Sequence, residues 1–164
     1  MTKAYICNAA RYLNIINPQT GTRDSLPSFV QGMGLVDLGR MFDGVPRIIR
    51  DQSTPRAIDS PLVTFNPAKQ QTYFTRTGQS YELSGQIYDY TKPFRITLSW
   101  TDPAVSPNTF KTLVNDLDME VSVGGKLYKG NVFAGPNSVT GGNFDDINNT
   151  ESVFLPAGTT GQWR

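Results

Sequence analysis

Apolar side chains recur at every second position through much of the second half of the chain. The runs are Phe94, Ile96, Leu98 and Trp100, then Leu117, Met119, Val121 and Val123, with a shorter one at Tyr81 and Leu83. A period of two puts alternate side chains on one face of an extended strand, so each run has one face to bury and one to leave wet. Turn chemistry stands between the runs at Thr77-Gly78-Gln79, Thr91-Lys92-Pro93, Gly124-Gly125 and Pro156-Ala157-Gly158, with no helical pattern between them. Gly124-Gly125 ahead of Lys126-Leu127-Tyr128 predicts a two-residue hairpin. Successive half-buried strands without crossover helices imply a mainly β fold, a β-sandwich or jelly roll.

The first 44 residues follow a different period. Ile6, Ala9, Ala10 and Leu13 share one face of a helix, which predicts a helix from Thr2 to Leu13. Asn17-Pro18-Gln19-Thr20-Gly21 is a turn, and Gln31-Gly32-Met33-Gly34 leads into a second short helical pattern of Leu35, Leu38 and Phe42, closed by Asp43-Gly44. Two short helices cannot bury their apolar faces alone, so this segment leans on the β domain or on something outside the chain. From residue 45 to residue 61, Pro46, Pro55 and Pro61 interrupt any ladder and predict an extended crossover. The chain therefore divides into a helical segment (1–44), a linker (45–61) and a β domain (62–164). Gly161-Gln162-Trp163-Arg164 reads as the entry to a strand, which would leave Trp163 at a frayed end and a sheet edge open. A β domain truncated there and self-association through exposed edges are the corresponding expectations.

Composition narrows the chemistry. The 164 residues include no histidine and one cysteine, which excludes the Ser-His-Asp triad, the Cys-His dyad, histidine-containing zinc sites and thiolate clusters. Cys7 has no disulfide partner, and beside Tyr5, Ile6, Ala9 and Ala10 it reads as a small buried apolar residue. A net charge of +1 gives no field that would draw nucleic acid or an anionic membrane. No run approaches the about 20 apolar residues of a membrane span, and the opening residues lack a signal-peptide core, so a secreted parent would carry its signal upstream.

The polar candidates each carry two readings. Asp116 and Asp118, two apart beside Asn115, would project from one strand face and share a cation, yet with Glu120 and Ser122 they also read as the wet side of an ordinary strand. The loop from Gly141 to Glu151 gathers Asp145, Asp146, Asn148, Asn149 and Glu151, hard oxygen donors suited to calcium and equally the residues of any long turn. Asp102 closes the strand that holds Trp100 and precedes a proline, so it is either a further ligand or a turn opener. Asn148-Asn149-Thr150 fits the glycosylation sequon. Tyr88, Tyr90 and Tyr128 would form a carbohydrate platform if exposed, although buried core tyrosines are the simpler reading.

Two stretches near the start, Thr2-Lys3-Ala4-Tyr5-Ile6-Cys7-Asn8-Ala9-Ala10-Arg11 and Gln31-Gly32-Met33-Gly34-Leu35-Val36-Asp37-Leu38, resemble the end of a subtilase catalytic domain, with Met33 where that family commonly has an aromatic residue. Four later stretches are similar to successive signatures of the jelly-roll domain appended to certain subtilases and related to the kexin-type P domain. They are Phe94 to Asp102, Leu113 to Met119, Tyr128 to Asn131 and Asn148 to Phe154. The resemblance spans nearly the whole chain, more loosely over Val45 to Ser80. It implies that residues 1–44 are the helical end of an α/β protease domain, and that the family's catalytic Asp, His and Ser precede Thr2. The chain alone would then be no enzyme. Its partner would be the parent protease domain in cis, its role stabilisation or substrate positioning, and its location extracellular. The resemblance also implies bound calcium, with Asp102, Asn115, Asp116, Asp118, Asp145, Asn148 and Glu151 at the polar positions of the signatures. An independent carbohydrate- or protein-binding sandwich is the alternative.

Overall fold

The computed structural model describes residues 2–45, 47–49, 63–64, 74, 76–105 and 113–164. Pro46, Pro55, Pro61 and most of the expected linker lie outside the described residues, as does the start of the β domain at residue 62. Within and just beyond that linker, β1 (Arg47–Ile48) pairs in parallel with β2 (Val63–Thr64).

The remaining strands are β3 (Gly85–Ile87), β4 (Phe94–Ser99), β5 (Glu120–Val123), β6 (Lys126–Ala134), β7 (Asn137–Thr140), β8 (Thr150–Leu155) and β9 (Gly161–Trp163). They form a five-stranded sheet in the order β3-β9-β5-β6-β7 and a two-stranded sheet of β4 and β8, the pairs all antiparallel. The fold is a mainly β sandwich. Its core lies between the layers: Met119, Val121 and Val123 meet Val153 and Leu155, and Ile87, Phe94, Ile96, Leu98, Tyr128 and Trp163 close around them. The alternation in Phe94–Leu98 and Met119–Val123 thus marks the inward faces, as expected from the period of two. Gly124 and Gly125 form the β5–β6 turn with φ of 57° and 76°, the left-handed conformations a two-residue hairpin requires.

Strand β8 is buried along its whole length. One edge pairs with β4. On the other edge its amides find side-chain acceptors: Ser152 N–H donates to Asn131 Oδ1 at 3.0 Å and Phe154 N–H to Ser138 Oγ at 3.0 Å. Asn131 sits where the β6–β7 register shifts and has φ of 59°.

Several expectations are corrected. Tyr81 and Leu83 precede the strand rather than form it, because β3 begins at Gly85. Trp163 is not frayed: β9 lies between β3 and β5, Arg164 and Ser122 exchange both backbone hydrogen bonds, and the Trp163 ring packs 5.8 Å from that of Phe94. The first helix, α1 (Thr2–Ala9), is shorter than expected because the Arg11 backbone exchanges hydrogen bonds with Leu35 instead of continuing the helical ladder. The second, α2 (Leu38–Met41), is a single turn capped by Asp37, whose carboxylate accepts the Arg40 N–H. Leu35, Leu38 and Phe42 are all exposed, and Cys7 is half-buried.

The opening segment is fastened to the sandwich. Asn8 donates to Thr97 Oγ1 at 3.1 Å, and Arg95 Nη1 donates to the carbonyls of Asn8 and Ala10 at 2.8 and 3.0 Å. A cation at those carbonyls satisfies acceptors that the end of α1 leaves free. The Arg95 guanidinium also stacks 4.2 Å from the centre of the Phe154 ring. Burial, then repulsion from Arg40 and Arg47, draws its pKa down to about 10. Further along, Ser25 and Leu26 exchange hydrogen bonds with Gly135 in the β6–β7 turn.

Candidate functional site

Strands β4 and β8 pair with Ser99 opposite Thr150, so the segment leaving β4 and the loop entering β8 meet at one end of the sandwich. Trp100 joins them. Its indole N–H donates to the Asn115 carbonyl at 3.0 Å, and its own carbonyl accepts Asn149 Nδ2 at 3.0 Å. The sequence candidates gather here, but in separate groups.

Asp102 and Asn115 form the first group. Asp102 Oδ2 accepts Val114 N–H at 2.7 Å, while Oδ1 accepts both the backbone and side-chain N–H of Asn115 at 2.9 Å. Asp145 and Asn148 form the second. Asp145 Oδ1 takes the amides of Ile147 and Asn148 at 2.9 and 3.0 Å, and Oδ2 takes Asn131 Nδ2 at 2.5 Å and Asn148 Nδ2 at 2.8 Å. Burial pulls the Asp145 pKa up, but these four donors outweigh it and leave the carboxyl below its ordinary value.

Glu151 is the third group and the most unusual. Its side chain is 0% exposed. Oε2 accepts the Met119 N–H at 2.7 Å, and Oε1 has no hydrogen-bond partner. Gly130 lies against the carboxylate so closely that a side chain there would overlap it. Burial above all, with repulsion from Asp118, Asp145 and Asp116, raises the Glu151 pKa to about 8 against the lowering effect of Met119. Asp116 and Asp118 are exposed beside it, and burial followed by repulsion from Asp116 and Glu120 raises Asp118 too.

This arrangement bears on calcium. Each oxygen of Asp102 and Asp145 already accepts N–H donors, and the free oxygen of Glu151 is sealed from solvent. Among the described residues no three Asp, Glu or Cys side chains converge as a metal site. No calcium ligands are assigned among the described residues.

Sequence reasoning missed Asn131 and Gly130 as site residues, although glycine inside a strand marks a close approach. It also missed Asp24, only 2% exposed, whose carboxylate gathers Ser28 Oγ at 2.5 Å, Gln31 Nε2 at 2.7 Å and Asn17 Nδ2 at 3.0 Å. Those bonds, Ser28 foremost, hold its pKa below the ordinary range. A cleft of about 340 Å³ opens beside it, lined in part by Asn17, Arg23, Ser25 and Phe29. Asn148, the sequon residue, is exposed; Tyr88 and Tyr90 are exposed rather than buried, and only Tyr128 packs on the core.

No family model matches the chain. The chain is 27% identical over 156 residues to the serine protease/ABC transporter B family protein tagA of Dictyostelium discoideum, an alignment that covers 91% of this chain. The chain spans about 8% of the length of that relative. Among the described residues no helix is long and apolar enough to cross a membrane.

Proposed function

We propose that the chain is a non-catalytic part of a subtilisin-like serine protease: a β-sandwich module, with the last helical segment of the protease domain fastened to its side, that stabilises that domain in cis. The observation that carries the proposal is that residues 2–44 are fastened to the sandwich yet leave large apolar side chains uncovered. The segment is bound to the sandwich through Asn8, Arg95 and the Ser25–Gly135 contact. Ile16, Phe29, Leu35, Leu38 and Phe42 stay exposed to solvent. Apolar surface of that kind is stabilised by being covered, and the subtilase-like stretches at Thr2–Arg11 and Gln31–Leu38 support reading this segment as the end of a protease domain. Similarity to a protein named as a serine protease supports the same reading. With no histidine in the chain, the catalytic groups would belong to the covering domain; an extracellular location is part of the same proposal.

Two measurements test it. The isolated chain should neither hydrolyse casein nor take up a fluorophosphonate probe, and covalent labelling would refute the non-catalytic role. Added to a subtilisin-like catalytic domain that lacks its own C-terminal region, the chain should slow thermal inactivation; an unchanged half-life would sink the stabilising role. The exposure of Tyr88 and Tyr90 favours a second reading, a carbohydrate-binding sandwich. Glycan-array binding lost on replacing both tyrosines by alanine would support that reading instead.

A further inference from the structure

We propose that Arg40 and Arg95 form an anion site at the junction of α1, α2 and β4, and that the site takes a carboxylate from the domain that covers residues 2–44. The site is built around one oxygen. The Ala10 carbonyl accepts Arg95 Nη1 at 3.0 Å and Arg40 Nη1 at 3.5 Å, so two guanidinium groups flank a single neutral acceptor. Arg95 reaches it from β4 and Arg40 from the single turn of α2.

Neither cation has an anion to itself. Arg95 is half-buried, with Nη1 on the Asn8 and Ala10 carbonyls and its face on the Phe154 ring. Among the described residues no carboxylate lies within ion-pair distance of it, and its Nε and Nη2 have no hydrogen-bond partner. The neighbouring carboxylates are already engaged. Asp43 takes both Nη groups of Arg47, at 2.8 and 3.0 Å. One oxygen of Asp37 is shared between Arg11 Nε at 3.6 Å and Arg40 Nε at 3.8 Å, too far for hydrogen bonds, while the other caps α2. Burial, then repulsion from Arg40 and Arg47, acts against the charge on Arg95. Unused N–H groups on planar guanidinium edges suit the paired oxygens of a carboxylate.

The adjoining apolar surface points to where that carboxylate comes from. The peptide group whose carbonyl the two arginines flank donates its N–H, that of Arg11, to the Leu35 carbonyl at 2.8 Å. Leu35 is thus one peptide unit from the pair, and both it and Val36 are exposed. A protein surface that covers them comes up against the arginines and takes away their water. Removing water from unpaired cations is costly unless the incoming surface brings an opposite charge. The occupant named here rests on residues 2–44 being covered by a protease domain in cis.

The isolated chain tests the site without that domain. When sodium acetate replaces sodium chloride at constant ionic strength, the side-chain Nε–H resonance of Arg95 should move along a saturable curve. Arg40→Met should weaken the acetate binding at least about fivefold. A resonance that does not saturate, or equal affinity in Arg40→Met, would overturn the site. The source of the carboxylate is read by thermal inactivation of a subtilisin-like catalytic domain that lacks its C-terminal region. The native chain should lengthen the half-life, and Arg40→Glu, which sets a like charge against the incoming carboxylate, should lose most of that protection. Equal protection by both would overturn the docked carboxylate and leave the stabilising role intact. Protection by neither would refute the stabilising role itself, and a saturable acetate shift beside that result would give the site to a free anion instead.

Discussion

Replacing Gly130 by alanine measures how tightly the Glu151 chamber is closed. A Cβ at position 130 would lie 2.7 Å from both Cβ and Cδ of Glu151, and closer still to Oε2. Carbon atoms rest in contact at about 3.5–4.0 Å, so the overlap must be relieved by movement. Glu151 has nowhere to go, since Thr150, Ser152 and Val153 on either side of it are buried as well. Overpacking of this kind costs about 1–3 kcal/mol. Displacing Oε2 also strands the buried Met119 N–H, a further loss of about 1–3 kcal/mol. Against these stands a gain of at most about 1 kcal/mol from the smaller conformational freedom of unfolded alanine. The expected net loss is about 3 kcal/mol, read as a lower urea midpoint with an unchanged slope. In a Glu151→Gly background, which removes the Cβ as well as the carboxylate, the space is open, and the same change should cost less than about 0.5 kcal/mol, a coupling of about 2 kcal/mol or more. A Gly130→Ala variant as stable as the native protein, or an equal cost in both backgrounds, would refute the close contact.

Two further outcomes follow from contacts in the opening segment. Asp24→Asn presents an amide to three donors and should cost about 1–3 kcal/mol near neutral pH. The stabilisation from the lowered Asp24 pKa is present above its ordinary value of 3.8 and is lost as pH falls through the lower native value, so the deficit should narrow in acid; a constant deficit in urea titrations down to about pH 3 would count against the carboxylate hub. Arg95→Met keeps the stem but removes the donor to the Asn8 carbonyl and leaves the Ala10 carbonyl only Arg40 Nη1 at 3.5 Å, and the amides of α1 should then exchange with deuterium at least about tenfold faster. Unchanged protection of α1 would show that Arg95 does not hold it.

Much of the sandwich was legible because alternation reports which face of a strand is buried. Phe94, Ile96 and Leu98 and Met119, Val121 and Val123 named both inner faces, and Gly124-Gly125 named the hairpin between β5 and β6. Alternation says nothing about which strands pair, so the insertion of β9 between β3 and β5 was invisible, and Trp163 was read as loose. The helix ending at Ala9 was overrun because Leu13 keeps the helical spacing while the Arg11–Leu35 bridge takes the backbone elsewhere. At the candidate site, the limit was chemical. The groups that make Asp102 and Asp145 good cation ligands also make them good acceptors for loop amides, and only geometry shows the second use. Glu151 stood out as polar at its position, but its burial depends on Gly130, a residue with no side chain to signal anything.

The sealed outer edge of β8 has a consequence for misfolding. Asn131 Oδ1 and Ser138 Oγ take the amides of Ser152 and Phe154, two residues apart on one edge. A slip of β8 by one residue would turn those amides towards the opposite side and bring no donors to the two acceptors. Together they read the strand's register as a key is read by two pins. They also occupy the hydrogen-bonding positions that an incoming strand would need, which protects a wholly buried segment from templating edge-to-edge aggregation. Because the pins come from β6 and β7, that hairpin must be in place before β8 can seat, and an unseated β8 is the state from which aggregation would begin.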